Sequence, residues 1–160
     1  MGIAPDMPHF SLLPTAEAAE LSDDIRRLFE ELSESLPREH RAYSGEYRPA
    51  LDVLEHDAAV EVVVDAAGLR PTALRILFRA GVLLIVGEKA PTPGSGEQTV
   101  HLLEREFGRF ARAVRLTGAF DVTSARATLR DGELLVRLPK RDDRRGNPHH
   151  IAIVEAPHRP

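Results

Sequence analysis

The chain has 160 residues, of which 42% are hydrophobic and 29% charged, and its formal net charge is −4. This composition predicts one packed domain with some chain to spare and argues against wholesale disorder. The acidic balance argues against a nucleic-acid-binding protein, and the absence of cysteine excludes disulfides and thiolate chemistry.

No targeting or membrane segment is recognisable in the sequence. Met1 to Pro14 lacks the basic region and following apolar stretch that mark a signal peptide. No apolar run approaches the ~20 residues that would span a bilayer. Together with the lack of cysteine, these features predict a cytoplasmic protein without a membrane span.

Residues 1–46 are predicted to form an N-terminal arm with one amphipathic helix. The arm begins with an irregular, proline-rich stretch that contains Phe10, Leu12 and Leu13. Apolar residues then recur at spacings of three and four, the period of one helix face: Leu21, Ile25, Leu28, Phe29, Leu32 and Leu36. Pro37 is expected to end the helix. Because no other helix is predicted, this apolar stripe must dock on a sheet, on another subunit or on another protein.

Residues 47–140 are typical of an all-β domain. Apolar residues alternate with the period of a strand in four stretches: Val60, Val62 and Val64; Leu74, Ile76 and Phe78; Ala125, Ala127 and Leu129; Leu134, Val136 and Leu138. Val82–Val86 is a continuous apolar run that suits a central strand, and Asp131-Gly132 predicts a hairpin turn. Many short strands separated by turn signals predict an immunoglobulin-like β-sandwich.

Residues 141–160 are charged and rich in proline and histidine, so we expect a flexible C-terminal tail. One apolar island, Ile151-Ala152-Ile153-Val154, interrupts it. His149-His150 is interpreted as a solvated pair, because adjacent residues give poor shared geometry for a metal ion.

Five short motifs follow one another through the predicted sandwich and tail: Asp65–Leu69, Gly81–Lys89, Gly108–Leu116, Ala127–Lys140 and Ile151–Ile153. The fourth, ATLRDGELLVRLPK, is similar to a signature of Ala-x-x-x-(Asn/Asp)-Gly-x-Leu followed by a strand that ends in Pro-Lys. In this order and spacing, the motifs resemble the bacterial type of the small heat-shock protein family. The α-crystallin domain of that family corresponds to about residues 47–140.

The resemblance gives the tail motif a role in assembly. Ile151 and Ile153 point the same way, because alternate residues of an extended segment share a side. The resemblance implies that both side chains enter a groove of a neighbouring subunit. The predicted lining of that groove is Leu74, Ile76, Ala127 and Leu129. The alternative is that the tail folds back on its own domain as a last edge strand.

A dimer interface is predicted at Arg112, Val100 and Leu102. The polar loop at 90–98 and the strand candidate at 99–105 resemble an element that pairs with the partner subunit's sheet and thereby covers an open strand edge. Arg112 resembles an arginine at or near the family's dimer interface, where a guanidinium forms bidentate pairs with carboxylates. The alternatives are an ordinary surface hairpin and a solvated strand arginine.

The resemblance also implies an ATP-independent holdase that binds partly unfolded client proteins and prevents their aggregation. Such a protein assembles with itself, as dimers that form larger oligomers. The predicted client-binding surface is the apolar side of the arm: Phe10, Leu12, Leu13, Leu21, Ile25, Leu28, Phe29 and Leu32. The alternative for the helix is that it only builds the oligomer.

The rival hypothesis is an adaptor or co-chaperone module of the same fold that docks on one fixed partner. A large polydisperse assembly would favour the chaperone, and a monomer would favour the adaptor. The sequence has no convergent titratable set, no phosphate-binding glycine loop and no metal-ligand spacing, so we predict no enzyme activity, cofactor or metal. The basic residues at 140–145 are interrupted by acidic ones and predict no nucleic-acid binding.

Overall fold

The computed structural model describes residues 15–36, 47–91, 96–141 and 149–158. These residues form one helix, α1 (Thr15–Ser35), two single-turn 3₁₀ helices and nine strands. The 3₁₀ helices cover Pro71–Ala73 and Val122–Ser124. The strands are β1 (Leu51–Glu55), β2 (Ala59–Asp65), β3 (Leu74–Arg79), β4 (Val82–Lys89), β5 (Gly108–Arg115), β6 (Arg126–Arg130), β7 (Glu133–Pro139), β8 (His149–His150) and β9 (Ile153–Glu155).

The strands form two sheets. The five-stranded sheet has the order β1-β2-β7-β6-β9, and the four-stranded sheet has the order β5-β4-β3-β8. Neighbouring strands are antiparallel except β6 and β9, which run parallel. The prediction of an all-β sandwich with a helical N-terminal element is therefore confirmed.

The core lies between the two sheets and follows the period-2 pattern of the sequence. Val60, Val62 and Val64 of β2 are buried, and their register partners on β7 are Leu138, Val136 and Leu134. The four-stranded sheet contributes Ile76 and Ile85, which are opposite each other on β3 and β4. The alternation thus gives each sheet one apolar inner face.

Glycine is needed at two positions for different reasons. Asp131 and Gly132 have φ angles of 52° and 80°, the left-handed conformation of the tight turn that joins β6 to β7. This is the predicted hairpin turn. At Gly87, a Cβ atom would lie only 2.5 Å from the ring of Phe110. A side chain at position 87 would therefore separate β4 from the aromatic ring on β5.

α1 packs on the outer face of the four-stranded sheet. Its Leu28 forms a buried cluster with Leu77 of β3 and with Leu84 and Val86 of β4. Other members of the apolar stripe are partly buried at the border of this cluster: Leu21, Ile25 and Phe29. Of the three partners that the sequence left open for the stripe, the structure shows a sheet of the same chain.

Three segments differ from the sequence-based expectations. β1 was not predicted, although it forms one end of the five-stranded sheet. The strand candidate at 99–105 is irregular instead of extended and paired. Residues 149–158, expected to belong to a flexible tail, form β8 and β9 and pair with both sheets.

Candidate interaction surfaces

The tail fills the opening between β3 and β6. β8 pairs with β3 in one sheet and β9 pairs with β6 in the other, so the residues between them cross from sheet to sheet. Ile151 lies at this crossing, where its side chain is buried and its amide donates to the carbonyl oxygen of Ile76 at 3.2 Å. Ile153 is half-buried against the same core. The two isoleucines therefore close the open side of the sandwich.

The four residues predicted to line the groove are all buried here: Leu74, Ile76, Ala127 and Leu129. The structure brings Ile151 beside Ile76 and sets Ile153 opposite Ala127 in the parallel pair. The groove and the tail belong to the same chain, which is the fold-back arrangement that the sequence left as the alternative. The assignment of this groove to a neighbouring subunit stays a prediction.

The tail continues past the groove along β6. The amide of Ala156 donates to the carbonyl oxygen of Leu129 at 3.0 Å. Further on, the Nδ1 atom of His158 contacts a carboxylate oxygen of Asp131 in the β6–β7 turn. Val154 points away from the sandwich and is 62% exposed. The docked tail is thus held at both sheets, and one of its apolar side chains stays in solvent.

The segment 96–107 carries large apolar side chains that the sandwich does not bury. Val100, Leu102 and Leu103 are 54%, 74% and 76% exposed. The strand expected at 99–105 is absent, because a strand needs an edge to pair with and this segment has none beside it within the chain. Leu103 was not singled out by sequence analysis, although the run Val100-His101-Leu102-Leu103 signals an apolar segment.

β1 presents a second exposed apolar edge. It lies at the end of the five-stranded sheet and pairs with β2, so its other side faces away from the sheet. Val53 and Leu54 are 40% and 47% exposed. Unpaired edges of this kind are templates for a further strand. The alternation of Leu51 and Val53 with polar residues was the available sequence signal for β1.

Lys89 holds the base of segment 96–107. The residue is buried, and its Nζ atom lies 4.8 Å from the ring centre of Tyr47 and 5.7 Å from that of Phe107. The guanidinium of Arg105 lies 4.9 Å from the same Phe107 ring. Burial, and then the charge of Arg105, lowers the pKa of Lys89. Lys89, at the end of β4, and Arg105, shortly before β5, therefore both contact the ring of Phe107.

Arg112 lies on the inner side of the edge strand β5. Its register partner on β4 is the fully buried Ile85, whereas Arg109 and Arg115 lie on the outer face of the sheet, and both side chains are exposed. One guanidinium nitrogen, Nη1, donates to the carbonyl oxygen of Pro49 at 2.5 Å. Burial, and then the nearby charge of Arg48, lowers the pKa of Arg112. The side chain thus joins β5 to the residues that lead into β1, and it is half-buried rather than freely solvated.

The predicted client-binding stripe does not face solvent in this arrangement. Leu28 and Leu32 are buried, and Leu21, Ile25 and Phe29 are partly buried against the four-stranded sheet. The remaining members lie outside the described residues: Phe10, Leu12 and Leu13. The apolar side of α1 is therefore matched to the face that it covers.

Within residues 15–36, 47–91, 96–141 and 149–158, no three histidine, aspartate or glutamate side chains converge on a position for a metal ion. Over the same residues, no helix combines the length and the apolar character needed to cross a bilayer.

Comparisons with known proteins agree on one family. Residues 52–154 match the Hsp20/alpha crystallin family. Small heat shock protein C4 of Rickettsia felis is 24% identical over 94 residues, which cover 59% of this chain and 58% of that protein. The chloroplastic 26.7 kDa heat shock protein of Oryza sativa subsp. japonica is 27% identical over 144 residues, which cover 87% of this chain and 60% of that protein.

The fold has a counterpart among solved structures. Heat shock protein 16.0 from Schizosaccharomyces pombe superposes with a TM-score of 0.58 and 29% sequence identity, over 64% of this chain and 94% of that chain. The alignments with the Rickettsia and rice proteins cover 58% and 60% of their lengths, so the chain spans less than two thirds of either relative.

Proposed function

This chain belongs to the Hsp20/alpha crystallin family, and we propose that it is an ATP-independent holding chaperone of the cytoplasm. On this proposal it binds partly unfolded proteins through apolar surface and keeps them from aggregating with one another. Such contacts are non-directional and accept many sequences, so they suit a protein with varied clients. Holding requires neither a nucleotide nor a cofactor.

The observation that most directly supports a self-assembling chaperone is the exposure of segment 96–107. Three large apolar side chains, those of Val100, Leu102 and Leu103, are more than half exposed and do not belong to the hydrophobic core. Clusters of this kind mark interaction sites in soluble proteins.

We further propose that segment 96–107 pairs with β1 of a second copy to form the dimer. β1 offers an open edge with the exposed side chains of Val53 and Leu54, and the segment offers apolar residues that lack an edge. Adding a strand would satisfy the backbone groups of both and bury the side chains of both. Arg112 supports this interface by holding Pro49, two residues before β1 begins.

The tail supplies the next level of assembly in this proposal. The groove between β3 and β6 accepts Ile151 and Ile153 of its own chain in the structure, and it would accept the same segment of a neighbouring copy with the same contacts. Each seated tail contributes modestly, but many tails in one oligomer act together. Dimers linked by tails then form the larger assembly.

The arm is proposed to bind clients after α1 leaves the sheet. Its apolar stripe is covered in the structure, so a client reaches Leu28 and Leu32 only when the helix is undocked. The apolar residues Phe10, Leu12 and Leu13 would add to the same surface. Warming favours such release because it favours the less ordered arrangement of the arm.

The test is the light scattering of a heat-labile enzyme that is warmed with and without this protein, in the absence of ATP. Suppression of aggregation at near-stoichiometric amounts is expected. As a control, the protein would be added only after aggregation is complete, where a holding chaperone has no effect. A folded protein that suppresses nothing at any temperature would contradict the proposal.

The adaptor remains the alternative, because exposed apolar segments also fit one fixed partner. Mass measurement separates the two proposals. A distribution of large assemblies supports the chaperone, and a monomer of 17.7 kDa supports the adaptor.

A further inference from the structure

The outer face of the four-stranded sheet combines an apolar centre with a basic rim. The centre consists of Leu77, Leu84, Val86 and Ala113. The rim consists of Arg75, Arg79 and Arg109, which come from β3 and β5. We call these seven residues the helix-docking face, because α1 covers them.

α1 complements this face in charge as well as in shape. The helix contains seven acidic and two basic residues and therefore carries a net charge of −5. Asp24, which is buried, pairs with Arg79 at an O···N distance of 2.6 Å. At the other end of the helix, Arg75 donates to the hydroxyl oxygen of Ser35 at 2.8 Å. The ligand that fits the face is thus an acidic amphipathic helix.

The docking of α1 leaves part of the interface unsatisfied. Glu88 lies on the same side of β4 as Leu84 and Val86, and its Oε1 atom is buried without a hydrogen-bond partner among the described residues. Its other oxygen lies 3.5 Å from Nε of Arg109. An unpartnered buried carboxylate oxygen opposes the covered state.

The contact between α1 and β5 is also open on one side. A cleft of about 290 Å³ runs between α1 and β5, lined by Arg26, Phe29, Glu30, Ser33 and Arg109. The cleft opens to solvent, since the side chains of Arg26 and Arg109 in its lining are 72% and 46% exposed. The helix is therefore held by a buried ion pair, the Arg75–Ser35 hydrogen bond and an apolar stripe, against an unsatisfied carboxylate oxygen and one side that is open to solvent.

We propose that the helix-docking face is an exchange surface, on which α1 of a second copy replaces the resident helix. The described contacts that hold α1 join the helix to β3, β4, β5 and the 3₁₀ helix Pro71–Ala73, all of which belong to the sandwich, so α1 of another copy makes them equally well. Residues 37–46 separate the helix from the sandwich and reach up to ~33 Å when extended, which allows the helix to leave its own face. This contact between copies uses neither the tail groove nor segment 96–107.

A charge exchange between two chains tests the proposal. One chain carries Asp24→Arg, which places two arginines together on its own face, and the other carries Arg79→Asp, which places two aspartates together. Neither helix matches its own face, but the helix of the first chain matches the face of the second. Because the protein has no cysteine, dyes attach at Ser22→Cys on the first chain and Thr72→Cys on the second.

Energy transfer between the dyes reports the exchanged contact. We expect half-maximal transfer at roughly tenfold lower concentration than in a control mixture, in which both labelled chains carry Asp24→Arg. A single chain with both charge changes restores the match within itself and serves as the folding control. Equal transfer in the matched and control mixtures would overturn the proposal, whether or not the protein holds clients.

A second measurement uses the unmodified protein. A fluorescent peptide of residues 15–36 should bind to the full chain and saturate, and its Asp24→Arg version should bind roughly tenfold more weakly. Failure of both peptides to bind, or equal binding of both, would contradict exchange.

Discussion

The tail and segment 96–107 both carry closely spaced apolar side chains, but the first of these segments docks on the sandwich and the second stays exposed. Ile151 is 6% exposed in the groove between β3 and β6, whereas Leu102 and Leu103 are 74% and 76% exposed. The tail pairs with both sheets, and segment 96–107 pairs with neither.

The difference follows from the edges that the fold leaves within reach. Without the tail strands β8 and β9, β3 and β6 would be the last strands of their sheets, and they lie close enough for one short segment to pair with both. At the far ends of the two sheets lie β5 and β1, and of these two strands it is β1 that exposes large apolar side chains. A segment that cannot pair within its chain leaves its apolar side chains exposed, where they can bind another molecule. The predictions below test this division, from the largest expected effect to the smallest.

Placing charge on the exposed segment should abolish dimerisation. Leu102→Glu combined with Leu103→Glu would bury two carboxylates in the proposed interface, which is far more costly than leaving them in water. We expect the measured mass to fall to the 17.7 kDa monomer. Because both side chains are about three-quarters exposed, the stability of the monomer should change by no more than ~0.5 kcal/mol.

The matched control for this variant is Gln98→Glu combined with Thr99→Glu. It adds the same charge to the same segment but removes no large apolar side chain. Its mass should remain that of the unmodified protein. If the leucine variant also kept its full mass, the segment would not be the dimer contact.

Truncation of the tail motif should release the tail and reduce the assembly to dimers. Ile151→Ala removes a buried side chain and should weaken tail docking by about 2 kcal/mol or more. That change corresponds to roughly thirtyfold faster amide hydrogen exchange along β8 and β9. Adding Ile153→Ala should enlarge the effect by a smaller step, because that side chain is only half-buried.

Val154→Ala is the control within the same segment, since its side chain is 62% exposed and points away from the groove. It should leave both hydrogen exchange and mass unchanged. Dimers from the Ile151→Ala, Ile153→Ala chain would support exchange of tails between copies. Fast hydrogen exchange with an unchanged mass would mean that the tail serves only its own chain.

The sandwich was readable from the sequence because burial alternates along its inner strands. The period-2 patterns at 60–64 and 134–138 mark strands that face one core, and Asp131-Gly132 fixes the turn before the second of them. β1 escaped notice because four of its five residues are exposed, and an edge strand of that kind needs few apolar positions.

The docking of α1 left a signal that the sequence analysis did not use. The continuous run Val82–Val86 places apolar side chains on both faces of β4, and a strand with two apolar faces must be covered on both. Leu84 and Val86 are the residues that α1 covers. The helix and the run are separated by many residues, so neither pattern alone indicates the other.

Other features depend on arrangements that a sequence does not encode locally. The poor alternation of β5 left the side of Arg112 open, and only its pairing with Ile85 places it on the inner side. The family resemblance implied the residues of the groove, but the alternating pattern of the tail is identical whether the groove belongs to the same chain or to a neighbour.

Removing the charge at the base of segment 96–107 should have a small effect on stability. The lowered pKa of Lys89 means that its surroundings disfavour the charge overall, because burial and the charge of Arg105 outweigh the attraction of Glu106. Lys89→Met keeps the apolar stem, so it should raise the free energy of unfolding at pH 7 by less than ~1 kcal/mol.

The pH dependence of stability tests the direction of the pKa shift of Lys89. Between its folded pKa and its ordinary value of 10.5, the unfolded chain binds more protons, so stability rises with pH. Urea unfolding from pH 7 to pH 10.5 should show this rise as a difference between the unmodified protein and Lys89→Met. A difference of the opposite sign would mean that the attraction of Glu106 and the aromatic rings outweighs burial and the charge of Arg105. The mass should not change in either case.

The smallest predicted effect concerns the turn that leads into β6, the strand on which the tail docks. The hydroxyls of Ser124 and Thr123, and then the charge of Arg141, lower the pKa of Asp121 to about 2. A lowered pKa contributes stability that is complete above the ordinary value of 3.8 and is lost as the pH falls toward 2. Asp121→Asn should therefore flatten the decline of stability over this range in urea titrations, and Ser124→Ala should flatten part of it.

Thr117→Ala, which removes an exposed hydroxyl from the preceding loop, should leave the decline as it is. Equal acid sensitivity in all four proteins would mean that these hydroxyls do not stabilise the charged carboxylate.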